Sequence, residues 1–232
     1  MKFDQTTYFN SVRESLFSGH MTQSQVDGQK AILEGWSAKK GGDDPRWLAY
    51  FLATAYHETS QAMQPVEEYK GSSQPYGQPD PVTGQCYYGR GFVQLTHKEN
   101  YQRADDELGC TSVQHPEEQL DAHISGATGY RGMTEGWFRS PNKFEMYFNE
   151  TTEDPYGARE IINGDKKTVP SWSGGVSIGN LIAGYFYDFL TALVESAQGE
   201  PTPGKESKIS ISAREISSIE VDGVKWLPEK GS

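Results

Sequence analysis

An acidic residue at the end of a helical stripe is the first candidate for chemistry. Positions 47, 48, 51, 52 and 55 are apolar at helical spacing, and Glu58 continues the same face. A carboxyl group at the end of a buried stripe would be desolvated, which favours the protonated form that a general acid needs. An ordinary glutamate at a fraying helix end, paired with His57 or a lysine, fits the spacing equally well. Both interpretations stay open at this point.

A pair of acids a few residues further on could supply a second carboxylate. Glu67 and Glu68 follow Pro65 at the edge of a polar segment. Breaking a glycosidic bond usually takes two carboxylates, one on each side of the sugar. Adjacent residues of an extended chain point in opposite directions, so only one of the two can face a shared cleft. Both could equally be solvated loop acids.

The segment 87–96, Tyr-Tyr-Gly-Arg-Gly-Phe-Val-Gln-Leu-Thr, is the third candidate. Its two glycines permit close backbone approach or a positive φ. The alternation of residue types over 92–96 predicts a short strand with one polar face. Thr96 and Glu99 also form a capping box for a helix that ends at Gly109, a structural role that is compatible with a catalytic one.

Other hydrolytic chemistries fail on spacing. His57-Glu58-Thr59-Ser60-Gln61 begins like a zinc-binding His-Glu-x-x-His helix, but Gln61 stands where the second histidine ligand belongs. The remaining histidines show no ligand spacing, and neither a Gly-x-Ser-x-Gly elbow nor a phosphate-binding loop occurs. We therefore expect no metal and no cofactor.

Composition excludes several partners. The formal net charge of −11 and the isoelectric point near 4.9 argue against nucleic acid, whose binding needs clustered Lys and Arg. No run of about 18 apolar residues occurs, so membrane insertion is not expected. The start of the sequence lacks the apolar region of a secretory signal, so another factor would have to release a protein that works outside the cytoplasm. Unpaired thiols are favoured over a bridge between Cys86 and Cys110.

Capping and periodicity predict the elements that must position these residues. Asp44 followed by Pro45 is typical of a helix start, and this helix carries Glu58. The segment 178–194 has one continuous apolar stripe, which is typical of core packing. Further helices are predicted from Phe9 to Phe17, from a capping box at Thr22–Gln25 to Trp36, and, less regularly because of three glycines, over 116–137; the segment 71–84 is predicted to be a loop.

The chain divides into a main domain and a tail. We expect a catalytic domain over 1–197, a polar linker over 198–208 and a tail over 209–232. Within the tail, Ile219–Val221, Asp222-Gly223 and Val224–Trp226 predict a tight β-hairpin with a type I′ turn. An isolated hairpin is marginal in water, so the tail must pack on the main domain or on a partner.

Together these segments resemble glycoside hydrolase family 19, which contains chitinases and similar peptidoglycan-cleaving endolysins of bacteriophages. Weaker similarity extends from about Phe9 to Ala197. The resemblance implies a mainly α, lysozyme-like helical domain with a short β element near the cleft. The residues that carry it are Ala55–Thr59, Met63–Tyr69, Tyr87–Thr96, Asn100–Tyr101 and Ala158–Gly164.

The resemblance also implies a mechanism and its residues. The family inverts the configuration of β-1,4-linked sugars that contain N-acetylglucosamine. By this resemblance Glu58 is the general acid, Glu68 rather than Glu67 is the base that activates water, and Thr96 helps to hold that water. The positions implied to line the sugar cleft are Tyr87, Gln94, Asn100 and Asn163. Inversion leaves room for a water, so the two carboxyl groups should lie roughly 6.5–9.5 Å apart in a closed site.

Departures from the family pattern separate the possible substrates. Plant chitinases of this family have longer loops, several disulfides and a secretory signal. This sequence shows none of these features, which favours a peptidoglycan-cleaving endolysin that acts as a monomer after release by a holin. The acidic composition counts against this, because many endolysins that act on Gram-negative walls are basic. Glu99 also stands where chitinases often carry an aromatic residue. The alternatives are a chitinase, a lytic transglycosylase with a single acid, and a catalytically inactive wall-binding or virion protein.

Overall fold

The computed structural model describes residues 4–37, 44–68 and 74–197, together with the backbone of 219–221 and 224–226. The predicted mainly α fold is confirmed. Three 3-10 segments occur at Pro75–Gly77, Pro116–Leu120 and Gly157–Ile161. The helices and strands are α1 (Gln5–Leu16), α2 (Gln23–Ser37), α3 (Pro45–Glu58), β1 (Val66–Glu67), β2 (Arg90–Gly91), α4 (Lys98–Leu108), α5 (Ala122–Glu135), α6 (Phe144–Tyr147), α7 (Ile178–Ala197), β3 (Ile219–Val221) and β4 (Val224–Trp226).

Helix α3 lies in the core and ends at Glu58. Its predicted start is confirmed, because the Asp44 carboxylate accepts the backbone N–H of Arg46 at 2.9 Å and Pro45 occupies the first turn. Every residue from Leu48 to Tyr56 is buried, not only the predicted apolar stripe. The reason is that α3 packs against α2, α5 and α7, and a helix covered on several sides buries its whole circumference.

The surrounding helices hold α3 in place. The capping box of α2 is confirmed: Gln25 N–H donates to the Thr22 hydroxyl at 3.2 Å, and the Gln25 amide oxygen accepts Thr22 N–H at 2.8 Å. Helix α7 packs on both α1 and α3, and its predicted stripe is buried at Ile182, Phe186 and Phe189. Helix α5 is regular over the glycine-containing stretch and packs against α2.

The predicted strand over 92–96 is wrong. Strands β1 and β2 pair antiparallel, with Val66 opposite Gly91, and the chain then turns so that Arg90 and Leu95 exchange backbone hydrogen bonds of 3.1 and 2.7 Å. Gly91 has φ +93°, the left-handed conformation that glycine makes accessible. The apolar residues of this turn are all buried in the core, so their alternation with polar residues reflects a buried turn and not a half-exposed strand.

The capping box predicted at Thr96 is also wrong. Helix α4 begins at Lys98, and His97, with φ +71°, occupies the cap position without a side-chain hydrogen bond. The Thr96 hydroxyl instead donates to the Gln94 carbonyl oxygen at 2.7 Å, because the preceding turn brings that carbonyl within reach. The predicted end of the helix at Gly109 is confirmed by its φ of +71°.

The tail shows the predicted strand pairing. Strands β3 and β4 pair antiparallel from Ile219 opposite Trp226 to Val221 opposite Val224. The predicted turn at 222–223, the linker 198–208 and residues 71–73 of the predicted loop lie outside the described residues. The division into domain and tail therefore stays a prediction. Within the described residues both cysteines are free and no helix is long and apolar enough to cross a membrane.

Candidate active site

Glu58 is the last residue of α3, and its carboxylate is ion-paired with the guanidinium group of Arg159. Arg159 lies on the 3-10 segment Gly157–Ile161 and is 3% exposed, whereas the Glu58 side chain is 17% exposed. The sequence pattern left open a desolvated acid or a glutamate paired with His57 or a lysine, and the structure gives Glu58 an arginine as its partner. The buried stripe does lead to Glu58, but the chain returns 101 residues later and brings a cation to it.

Arg159 holds a second carboxylate at the same time. Its Nε and Nη2 donate to the two oxygens of Asp165 at 2.6 and 3.0 Å, a bidentate pair. Burial alone would raise the pKa of Asp165, but hydrogen bonds and charge from Arg159 outweigh it and lower that pKa. Asn163 Nδ2 donates to Asp165 at 3.1 Å. Asn163, Asp165, Arg159 and Glu58 thus form one continuous chain of polar contacts.

The roles of Arg159 and Asp165 were missed in the sequence, although Arg159 lies inside one of the segments that carry the resemblance. The available signal was an arginine between the apolar residues Ala158 and Ile161, both of which are buried. An arginine in such a position needs carboxylate partners, because a buried guanidinium without them is costly. What the sequence does not show is which carboxylates those are.

His57 stays neutral beside this group. Burial lowers the pKa of His57, and the charge of Arg159 acts in the same direction, while the Glu58 carboxylate opposes them in part. A neutral imidazole adds no second positive charge next to Glu58 at neutral pH. Among the described residues no group of three or more His, Cys, Asp or Glu side chains is arranged to hold a metal ion.

Glu67 and Glu68 have different partners, as expected for neighbours in an extended segment. Glu67 accepts the Tyr88 hydroxyl at 2.7 Å and Arg90 Nε at 3.1 Å. The Arg90 guanidinium carbon lies 3.8 Å from the centre of the Tyr88 ring, so Glu67 belongs to a packed charged and aromatic group. This contact set ties Glu67 to the β1–β2 pair and explains its presence without a catalytic role.

Among the described residues, Glu68 is held by backbone groups. Its N–H donates to the Gly89 carbonyl at 2.8 Å, and its Oε2 accepts the Gly89 N–H at 3.1 Å. Within the described part of the chain no Lys or Arg forms an ion pair with Glu68. The Glu68 carboxylate thus keeps unused lone pairs for a water or a hydroxyl group.

Three of the predicted site residues form a chain of contacts that begins beside Gly89, the residue that binds Glu68. Gln94 donates its amide to the Val66 carbonyl at 3.0 Å, and its amide oxygen lies so close to Gly89 that a Cβ there would be 2.7 Å from it. Thr96 donates its hydroxyl to the Gln94 carbonyl, and Asn100 Nδ2 donates to the Thr96 carbonyl at 2.9 Å. Each of these side chains therefore has a defined position near the β1–β2 pair.

Tyr87, by contrast, has a packing position. It is 3% exposed, its hydroxyl donates to the Val113 carbonyl at 2.8 Å, and its ring lies 5.2 Å from that of Tyr101. The expected contact of Tyr87 with a sugar stays a prediction, and in this structure the ring packs beside the β1–β2 pair. The physical reason is the small cluster of buried side chains formed with Leu95, Tyr101 and Val113, which draws the ring inward.

The segment between Glu58 and β1 is strained and clamped to α2. Ser60, Gln61 and Met63 have φ values of +48°, +71° and +49°. Gln25 Nε2 donates to the Gln61 carbonyl at 3.0 Å, and the Met63 carbonyl lies so near Gly28 that a Cβ there would be 1.6 Å away. Backbone strain of this kind persists only where surrounding contacts enforce it, and it concentrates at functional sites.

Comparison with known proteins gives the fold an identity. Neither the family models nor the curated proteins compared with this sequence gave a match. Among solved structures, chitinase C from Streptomyces griseus HUT6037 matches with a TM-score of 0.53 and 21% identity, over 83% of this chain and 76% of that one. The family GH19 class IV chitinase from Zea mays matches with a TM-score of 0.52 and 18% identity, over 79% of this chain and 93% of that one. At such identities the likeness concerns the fold. The chain shares its mainly α, lysozyme-like fold with chitinases of family GH19.

Proposed function

We propose that this protein is an endolysin, a glycoside hydrolase that cleaves β-1,4 bonds in the glycan strands of bacterial peptidoglycan with inversion. The observation that carries the proposal is the contrast between two acids on separate supports. Glu58 ends a core helix against Arg159, and Glu68 follows a β strand and has, within the described part of the chain, a backbone N–H as its donor. The fold shared with GH19 chitinases supports the same reaction type.

Glu58 is proposed to protonate the oxygen of the departing sugar. Once its proton has left, the carboxylate is attracted by the Arg159 guanidinium, which favours the later stages of bond cleavage. Asp165 offsets part of the positive charge of Arg159 through two hydrogen bonds and so moderates this attraction. The trio thereby stabilises the product of proton transfer more than the starting state.

Glu68 is proposed to take a proton from the attacking water. That water adds to the anomeric carbon on the face opposite the departing oxygen, which inverts the configuration. The Thr96 hydroxyl uses its hydrogen on Gln94 and keeps its lone pairs to accept from the water. One proton leaves Glu58 and one arrives on Glu68, so bulk solvent resets both groups after each turnover.

Two polymers fit this chemistry. A chitinase activity is the second candidate, and it is favoured by the structural neighbours, which are chitinases. The free thiols of Cys86 and Cys110 favour synthesis in a reducing compartment, as expected for an enzyme that is stored in the host cytoplasm. Release to the wall by a holin, followed by host lysis, belongs to this same proposal.

The test is a set of glutamine substitutions with two substrates. Glu58→Gln and Glu68→Gln should each lower turnover by about 10²–10⁴-fold, because each removes one proton-transfer group. Glu99→Gln, at an exposed position in the first turn of α4, is the matched control and should keep wild-type turnover. Turnover is measured as turbidity loss of outer-membrane-stripped cells and, in parallel, as hydrolysis of colloidal chitin.

Each outcome has a clear meaning. Activity on chitin alone would replace the endolysin proposal with the chitinase. Unchanged lysis in both the Glu58 and the Glu68 variant would contradict the assignment of the acids and favour a non-catalytic wall protein. Loss of activity only in the Glu58 variant, with an anhydro-muramyl product detected by mass spectrometry, would identify a lytic transglycosylase.

A further inference from the structure

An exposed loop begins close to Asp165, the acid that binds Arg159 beside Glu58. The loop, residues 169–177 and here termed the Trp172 loop, leaves and returns at one place because Ile178 N–H donates to the Thr168 carbonyl at 2.9 Å. Thr168 N–H in turn donates to the Asp165 carbonyl at 2.8 Å. The base of the Trp172 loop is therefore fixed to Asp165, which is bonded to Arg159.

The Trp172 loop exposes an unusual amount of apolar surface. Trp172 is 67% exposed, Val169 53% and Val176 40%, and these are three of the six large hydrophobic side chains exposed among the described residues. Gly174 and Gly175 have nothing within 4 Å of a Cβ position, so no described element covers this side of the loop. Large apolar groups that cluster on a surface mark binding sites more often than scattered ones do.

The charge of the loop also differs from that of the protein. Residues 166–177, which are the Trp172 loop and the three residues before it, contain two lysines and no acid, whereas the whole chain has a net charge of −11. Lys166 is ion-paired with Glu160, and Lys167 is exposed. The loop itself therefore presents no negative charge to a polymer that is neutral or that carries carboxylates.

We propose that Trp172 is a stacking platform for a pyranose ring of the same glycan strand that is cleaved at Glu58. The inference rests on the proposed function, because it assigns the occupant as that strand. The face of a pyranose ring presents C–H groups, which pack on the electron-rich face of an indole while the hydroxyls at the rim stay in water. Trp172 lies four residues from Thr168, so its Cα atom lies within about 14 Å of the Thr168 Cα atom. Because Thr168 bonds to Asp165, the Trp172 ring stays on the part of the surface that surrounds the contacts of Asp165, Arg159 and Glu58.

The experiment measures binding separately from cleavage. In the Glu58→Gln background, Trp172→Ala should weaken polymer binding by about three- to ten-fold. Binding is measured with peptidoglycan sacculi and with colloidal chitin, and the variants are compared on the polymer that the parent binds. Trp172→Phe should retain part of the affinity, since it keeps an aromatic face. Met146→Ala, which removes an exposed hydrophobic side chain from α6, is the matched control and should bind as well as its parent. Saccharide added to the parent should also protect tryptophan fluorescence from acrylamide, and Trp172→Phe should abolish that protection.

Failure of this inference is distinguishable from failure of the proposed function. Equal polymer binding by the alanine variant and its parent, or fluorescence protection that persists in Trp172→Phe, would overturn the role of Trp172 even if the wild type cleaves. Binding of neither polymer by the parent would overturn it as well. Binding that depends on Trp172 without any cleavage by the wild type would support the platform and contradict the hydrolase. Equal melting temperatures exclude misfolding of the variants as the cause.

Discussion

At the scale of single residues, Arg159 determines what Glu58 can do. A planar guanidinium can bind Asp165 through two nitrogens and still direct a third nitrogen at Glu58, which a lysine could not do. The three groups together are neutral when Glu58 is protonated and carry one negative charge when it is ionised. Asp165 thus determines how strongly Arg159 attracts the carboxylate of Glu58.

Asp165→Asn should change the pH dependence of turnover. The pKa of Asp165 is below its ordinary value, so the group is ionised at neutral pH, and the asparagine removes a negative charge there. Arg159 then acts on Glu58 without compensation, and the acid loses its proton more easily. We expect the alkaline limb of the rate profile to move to lower pH, with turnover near pH 7 reduced roughly ten-fold.

The neighbouring acid Glu160 provides the control for this shift. Glu160 pairs with Arg139 and Lys166 rather than with Arg159, so Glu160→Gln removes the same charge from the same segment without touching Glu58. The measurement is initial rate against pH from 5 to 9 on the preferred polymer. An unchanged alkaline limb in Asp165→Asn, or an equal shift in Glu160→Gln, would rule out the proposed action through Arg159.

At the scale of elements, local signals in the sequence predicted more than long-range ones. The starts of α2 and α3 follow from capping residues within a few positions of each other, and both are confirmed. The turn after Gly91 was predicted as a strand, since alternating polarity cannot distinguish a half-exposed strand from a turn buried by α5. The contact between Glu58 and Arg159 spans 101 residues and depends on how α3 and the 3-10 segment pack, which no local pattern encodes.

The contact between α2 and the strained segment should be essential for the site. A Cβ at Gly28 would lie 1.6 Å from the Met63 carbonyl oxygen, so Gly28→Ala must push α2 away from the segment that joins Glu58 to Glu68. We expect a loss of about 1–3 kcal/mol in the free energy of unfolding, as for other overpacked sites. Turnover should fall as well, because the hydrogen bond from Gln25 to the Gln61 carbonyl holds the same segment.

Gly35→Ala on the same helix is the matched control. A Cβ at Gly35 meets nothing within 4 Å, so the substitution should leave turnover unchanged and raise the free energy of unfolding by about 0.5–1 kcal/mol through helix propensity. Urea denaturation and turnover are measured on both variants. A Gly28 variant as stable and as active as the Gly35 variant would show that the close approach of α2 is not needed.

At the scale of the whole molecule, net charge distinguishes the two candidate polymers. The chain carries −11, and peptidoglycan presents peptide carboxylates, whereas chitin is uncharged. Long-range repulsion slows association with an anionic wall. Salt weakens this repulsion, because the screening length falls to about 8 Å at physiological ionic strength. An acidic endolysin should therefore work better when salt is added.

We expect the rate of wall lysis to rise roughly two- to ten-fold between about 10 and 150 mM salt. Hydrolysis of a soluble chito-oligosaccharide under the same conditions is the control for effects of salt on the reaction itself, and its rate should stay flat. Lysis that declines steeply with salt would mean that a local basic surface, such as Lys166 and Lys167 beside the Trp172 loop, dominates the approach to the wall. Faster hydrolysis of chitin than of cell walls, with rates that do not depend on salt, would instead favour the chitinase. Chitin is uncharged, so the acidic surface of the protein would not repel it.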